Sequence, residues 1–382
     1  MTTEIKKVST KDEIIEILSN ANESKTQINT GDASLPGLYL DRTDMNKIIK
    51  IDEKNMFAVI EWGVTFEQLK KELNLKNLIM QYPITSTSDL ILESFSNYNV
   101  FFGNTRHKIN QIANLQVILP NGKIYQTGAS SLSDDNYWRE DGGPNLYKIF
   151  MGSEEAFGII SKGTVLLYPK MEKVLIGLEF DDIMEAISII KNVARLEYSE
   201  EILLLNKESF KKRFNEECAK EWCILLNFDE KYYESEKKSI MENPNLTDKI
   251  IDKDLNHLNS HLEKNWRDLN NYSKLSFYSL FQNCETLHNI IKNQINSFIC
   301  EMVPIEFGRT VYFQYFFESD EKVLSNLRKE LVDSNLCIFR EITQETMKII
   351  EKNQYYYQNA RNIKKRLDRN NILNPRNWLG GL

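Results

Sequence analysis

The residues of this chain whose chemistry depends on spacing are few: four histidines, five cysteines, and scattered arginines and tyrosines. His257 and His261 stand four apart, a spacing that lets one helix face chelate a metal. Leu258, Asn259 and Ser260 lie between them without an HExxH pattern, and a solvated helical face is the competing reading. His288 has Cys284 four residues before it, lacks further ligands, and reads as helix packing. His107 follows Gly103 and is a candidate cofactor-contacting or acid/base group, against a hydrogen-bonded imidazole. Arg309, beside Gly308 and ahead of an apolar run at 311–317, has the fork geometry to bind a carboxylate through two bonds; the alternative is a surface guanidinium. Tyr355, Tyr356 and Tyr357 either reach an active site or sit half-buried on a helix. The cysteines at 218, 223, 284, 300 and 337 form an odd, scattered set that completes no metal site and reads as reduced thiols. No metal is expected, and no catalytic residue stands out.

Other chemistries leave no trace. The sequence has no GxxxxGK[ST] phosphate loop, no GxGxxG turn and no GxSxG elbow. A net charge of −7 argues against a nucleic-acid partner. No apolar run approaches the roughly 20 residues that span a bilayer, and the N-terminus lacks the apolar core of a signal peptide, so no membrane association and a cytoplasmic location are expected. At 382 residues there is room for two or three domains.

Several elements can be placed from pattern. Ser9 to Glu13 starts a helix ahead of Ile14, Ile15, Ile17 and Leu18. A short strand at 26–29 runs into the polar loop Thr30-Gly31-Asp32-Ala33-Ser34-Leu35, followed by the run 38–41, an alternating strand at 56–62 and a helix at 66–73. The run 112–119, the turn Pro120-Asn121-Gly122 and the run 123–127 form a β-hairpin, with Gly122 free to take φ > 0. A short helix is expected at 145–150, then apolar runs at 157–160 and 165–167 separated by Ser161, Lys162 and Gly163. From 170 to about 340, strands at 174–180, 201–205, 222–228, 311–317 and 336–339 alternate with charged helical segments, the pattern of an α+β unit. Residues 230–275 read as solvated helix.

The order of these pieces resembles the FAD-linked oxidase superfamily with a PCMH-type FAD-binding domain (vanillyl-alcohol oxidase and p-cresol methylhydroxylase). The stretch Gly143-Pro144-Asn145-Leu146, Gly152-Ser153-Glu154 and Gly158-Ile159-Ile160 is similar to that family's "GPdL..lF.GSeG.lGIiT", after a "lPnG" hairpin. Residues 38–69 resemble its "ldl..mnkiieid" and "aGvt...l...l", and Asp368 to Pro375 its "lDP.gilNPgk" ending.

The resemblance implies an α+β fold with three parts. They are a FAD-binding domain of two α+β subdomains at 1–170, an α+β cap at 171–340, and a segment at 341–382 returning to the first domain. It implies FAD held by two loops and the family's scaffold turns. The first loop is Gly31, Asp32, Ala33, Ser34 and Leu35; the second is Thr85, Ser86, Thr87 and Ser88, then Gly103, Asn104, Arg106 and His107. Gly158, Ile159, Ile160, Asn374 and Arg376, with Asn377 beside it, complete the candidate set. Glycine lets backbone N–H groups approach a diphosphate. Of the first loop's pattern "PrGgGtS" one glycine is retained, with Asp32 beside it, and Ser88-Asp89 replaces the second loop's pair. The first loop has no histidine or cysteine, so FAD is expected to be non-covalent. The implied activity is FAD-dependent oxidation of a small alcohol, 2-hydroxy acid or phenolic substrate by hydride transfer, with an electron-transfer protein or partner subunit as a further partner. The alternative is a degenerate flavin-free paralogue acting as a non-catalytic or partner subunit.

Overall fold

A computed structural model of the chain describes residues 3–31, 33–81, 89–97, 111–133, 144–197, 199, 201–242, 253–258, 272–318, 321–339 and 343–375. The first helix, Lys11–Ser24, starts where capping chemistry puts it. Thr10 Oγ1 accepts from Glu13 N at 3.3 Å, and the Glu13 carboxylate reaches back to Ser9 N at 2.8 Å. Its apolar stripe, Ile14, Leu18 and Ala21, packs with Ile28, Leu40 and Met45 around a small parallel sheet of order Thr3–Lys7, Gly37–Asp41, Ile28–Asn29.

Behind it lies a five-stranded antiparallel sheet of order Ile48–Asp52, Phe57–Glu61, Ile159–Leu166, Ile112–Ile118, Ile124–Gln126. The hairpin turn forms as expected, with Gly122 at φ 77°. All seven residues of Ile112–Ile118 are buried, because the sheet is covered on both faces. Ile118 and Ile159 face the first-helix core. Ala58, Leu115 and Ile160 face a second core capped by the helices Phe66–Asn74 and Ile91–Ser96.

The expected break at Ser161–Gly163 is instead the middle of one continuous strand. Small and polar residues serve close packing there. Ser161 Oγ donates to Gln116 Oε1 at 3.0 Å, and a Cβ at Gly163 would lie 2.7 Å from Leu92 Cδ2.

Residues 173–339 build an eight-stranded sheet of order Lys253–Asp254, Lys173–Phe180, Trp222–Asp229, Glu201–Asn206, Ile299–Ile305, Thr310–Phe317, Ser273–Leu280, Cys337–Phe339. The helices Ile183–Leu196, Cys284–Gln294 and Glu321–Ser334 cover one face in a single large core, while Lys207–Phe214 packs on the other. Three of the eight strands escape the sequence reading: 253–254, 273–280 and 299–305. The solvated helix expected over 230–275 is corrected here. Among the described residues it is α-helical only at Tyr233–Met241, Lys253–Asp254 is an edge strand followed by a single 3-10 turn, and Ser273 opens a long strand. Surrounding charge had masked the inward alternation of Leu275 and Phe277.

The chain then returns. Helix Gln354–Leu367 lays Tyr357, Ala360, Ile363 and Leu367 against the second core, and Ile372 and Leu373 enter the first. Mixed helix and sheet in this arrangement is the expected α+β class. Among the described residues no helix is long and apolar enough to cross a membrane.

Candidate functional site

Three segments distant in sequence meet at the rim of the small parallel sheet. The first is the loop after Ile28–Asn29. Asn29 is 1% exposed; its Nδ2 donates to Pro36 O at 3.2 Å, while its Oδ1 is buried with no hydrogen-bond partner. Gly31, Ala33 and Ser34 are exposed, and a Cβ built at Gly31 would meet nothing within 4 Å. The backbone there borders open space.

The second segment is the returning tail. Ile28 N donates to Ile372 O, and Asn374 N to Ile28 O, each at 2.7 Å, so the tail extends the parallel pairing. The Asn374 side chain then ties two loops. Thr30 N donates to its Oδ1 at 2.9 Å, and its Nδ2 donates to Thr30 Oγ1 at 2.8 Å and Glu154 O at 3.0 Å. An ion pair anchors the tail. Lys364 and Asp368 are 1% and 2% exposed, with Nζ to Oδ2 at 2.7 Å. Lys364 Nζ also donates to Ala156 O and Leu373 O, and the Asp368 carboxylate accepts from Ile372 N and Leu373 N. Every charge buried here has several partners, the condition for tolerating it. Burial pulls the Lys364 ammonium below the usual lysine range, against the opposing pull of Asp368.

The third segment is the turn 152–160. Glu154 and Glu155 take φ of 51° and 55°, the left-handed region that disfavours a residue with a Cβ. Glu155 is 7% exposed and meets Arg42, 2% exposed, in a fork-to-fork ion pair with both N···O distances 2.6 Å. Arg42 also lies 3.9 Å over the Trp62 ring. Nearby, half-buried Glu93 is pushed above the usual carboxylate range, first by desolvation and then by the Glu155 charge.

The sequence-derived candidates distribute unevenly. Gly31, Ala33, Ser34, Leu35 and Asn374 lie at this junction. Asp32, Thr85, Ser86, Thr87, Ser88, Gly103, Asn104, Arg106, His107, Arg376 and Asn377 lie outside the described residues. Ile159 and Ile160 are fully buried strand residues, and a Cβ at Gly158 would come within 2.5 Å of Val117 Cγ1. Asn374 ties the loops together. Sequence reasoning missed Arg42, Glu155 and Lys364. The signal for the first two was present, since they occupy the second leucine of "ldl" and the second glycine of "GSeG".

Elsewhere the chemistry-bearing residues are placed apart. His257 sits in a 3-10 turn, Asn256–Leu258, and contacts Glu216 at 2.9 Å; His261 lies outside the described residues. Among the described residues no cluster of three metal-ligating side chains occurs. His288 is buried, its Nδ1 is 3.1 Å from Tyr315 Oη, and burial pushes its pKa down to about 4. It borders a cavity of about 420 Å³ with Asp181, Asp182, Glu221, Trp222 and Glu285. Arg309, Tyr355 and Tyr356 are exposed, and Tyr357 packs on the second core. All five cysteines are buried and none is in a disulfide; burial raises the Cys284 and Cys337 thiols to about 12, so those two are inert core groups. One buried polar row also went unforeseen: Glu301, Gln314 and Ser276 lie side by side on three adjacent strands, with Arg213 Nη2 2.9 Å from Glu301 Oε1.

The fold is that of the PCMH-type FAD-linked oxidases, which the chain resembles in its first domain and in its overall architecture. Residues 5–128 match the family model of the FAD binding domain. The chain is 30% identical over 193 residues to the glycolate oxidase subunit GlcD of Bacillus subtilis, covering 46% of this chain and 38% of that protein. It is 31% identical over 139 residues to the flavoprotein subunit of 4-cresol dehydrogenase (hydroxylating) of Pseudomonas putida, covering 35% and 26%. These matches span well under half the length of those relatives. Across the whole fold, the crystal structure of p-cresol methylhydroxylase with substrate bound superposes with a TM-score of 0.83 at 16% identity, over 96% of this chain and 87% of that one.

FAD is the cofactor of this domain type, and the residues present fit it. Backbone at Gly31 faces open space, where a diphosphate can approach it closely, and an unpartnered Asn29 Oδ1 lies at the base of the loop.

Proposed function

We propose that the chain is a FAD-dependent oxidoreductase that oxidises a small alcohol, 2-hydroxy acid or phenolic substrate by hydride transfer. When bound, FAD supplies the two-electron acceptor. The observation that carries this reading is the junction itself. An open glycine-bearing loop is fixed by Asn374 to the turn at Glu154, in a domain that matches FAD binding domains. The chain's own residues position and enclose: Thr30 and Asn374 set the loop, and Lys364 with Asp368 holds the tail beneath it.

The contacting residues on this reading are Gly31 to Leu35 of the first loop and the candidates of the second, with FAD held non-covalently. The domain division at 170 and 340 belongs to the same proposal. Substrates of the named classes are supported by the likeness to a glycolate oxidase subunit and a cresol dehydrogenase flavoprotein subunit. The latter's name also supports a separate partner subunit.

The visible spectrum of the purified protein, before and after incubation with FAD and desalting, tests the cofactor. Anaerobic bleaching of the flavin band by members of a glycolate, lactate and alkylphenol panel tests the activity. A protein that stays colourless sinks the reading in favour of a flavin-free subunit.

A further inference from the structure

Glu155 is a residue out of place by its backbone. Two successive non-glycine residues at positive φ are unfavourable, and here the second is also a buried carboxylate. Its surroundings explain its presence. Arg42 grips both oxygens at 2.6 Å, Ile160 N donates to Oε1 at 2.8 Å, and Arg42 Nη1 donates to Ile160 O at 3.0 Å. The pair therefore holds both backbone groups of Ile160, where the turn feeds into the central strand. One residue before Glu155, Glu154 O accepts the Asn374 bond that ties this turn to Thr30.

The two charges lie 113 residues apart in sequence. Neither is tolerable without the other: an unpaired carboxylate in left-handed backbone, or an unpaired guanidinium under Trp62. Glycine at 155 relieves the backbone and leucine at 42 fits the apolar site, but only if both change together.

We infer that Arg42 and Glu155 are a positioning pair for the FAD site, an internal clamp that fixes the 152–160 turn where an unstrained glycine would otherwise serve, and through Glu154 and Asn374 sets the first loop. The pair rests on the FAD-binding reading above and touches no reacting atom.

The test is a double-mutant cycle on FAD affinity, read by quenching of flavin fluorescence, with far-UV circular dichroism to confirm folding. E155G and R42L are each expected to weaken FAD binding at least tenfold. The double variant R42L/E155G is expected to bind within threefold of the parent chain. Single variants that bind FAD like the parent overturn the proposal, as does a double variant as weak as the two losses combined. If a single variant does not fold, the double variant decides alone: binding within threefold supports the clamp, and a tenfold loss overturns it. A parent chain that binds no FAD refutes the cofactor reading itself, and the clamp's role toward FAD falls with it.

Discussion

Thr30 and Asn374, 344 residues apart in sequence, exchange two hydrogen bonds: Thr30 N to Asn374 Oδ1 and Asn374 Nδ2 to Thr30 Oγ1. Asn374 sits at φ 43°, so the backbone already favours asparagine or glycine there. Glycine in its place should keep the chain path and delete the tether. We expect N374G to cost about 1–3 kcal/mol, the usual penalty for stranding buried polar partners, and to weaken FAD binding about tenfold. Urea unfolding and flavin titration measure both; unchanged affinity would separate the tether from the cofactor.

Two glycines make a contrasting pair. At Gly158 a Cβ would press within 2.5 Å of Val117 Cγ1 and 3.1 Å of Ile118 O, so G158A should destabilise by about 1–3 kcal/mol. At Gly31 a Cβ meets nothing, so G31A should shift stability by less than about 0.5 kcal/mol. Its effect should appear in FAD affinity instead, as a loss of severalfold. Thermal melts with and without FAD distinguish the two.

His288 gives a pH signature. Burial, with a smaller contribution from Lys292, lowers its pKa from 6.5 to about 4. The unfolded chain therefore binds a proton that the folded chain refuses, and stability falls as pH drops from about 6.5 toward 4, then levels. The contribution is on the order of 3 kcal/mol over that window. Stability of H288Q across the same range should lack this slope relative to the parent; parallel curves would refute it.

Glu93 works in the opposite sense. Its raised pKa means the folded state binds the proton more tightly, so protonation stabilises and stability falls as pH rises through the folded pKa. E93Q should melt ~1–3 °C higher than the parent at pH 7. The advantage should vanish near pH 4, where the acid is already neutral. Paired melts at the two pH values decide it.

How much of this was legible follows from which forces wrote it. Gly122 at a hairpin turn and Thr10 at a helix start are local decisions, and sequence pattern located both. The strand Ser273–Leu280 was hidden because its alternation of Leu275 and Phe277 is embedded in polar and charged neighbours, and burial is decided by helices far away in the chain. The family pattern gives no reason why Glu155 is tolerated in the 152–160 turn. A buried charge is explained only by its partner, and Arg42 lies on a different strand end. Lys364 was opaque for the same reason: a lysine on a charged helix looks solvated until its three acceptors are seen.

The pairing of Ile28 with residues 372–374 bears on how the protein is made. During synthesis the first loop leaves the ribosome long before its tether, so the amino-terminal sheet must wait, with one strand edge uncovered, until nearly the whole described chain has been translated. A chain clipped ahead of residue 372 would keep the loop but lose both the strand partner of Ile28 and the Asn374 tether that fix its shape.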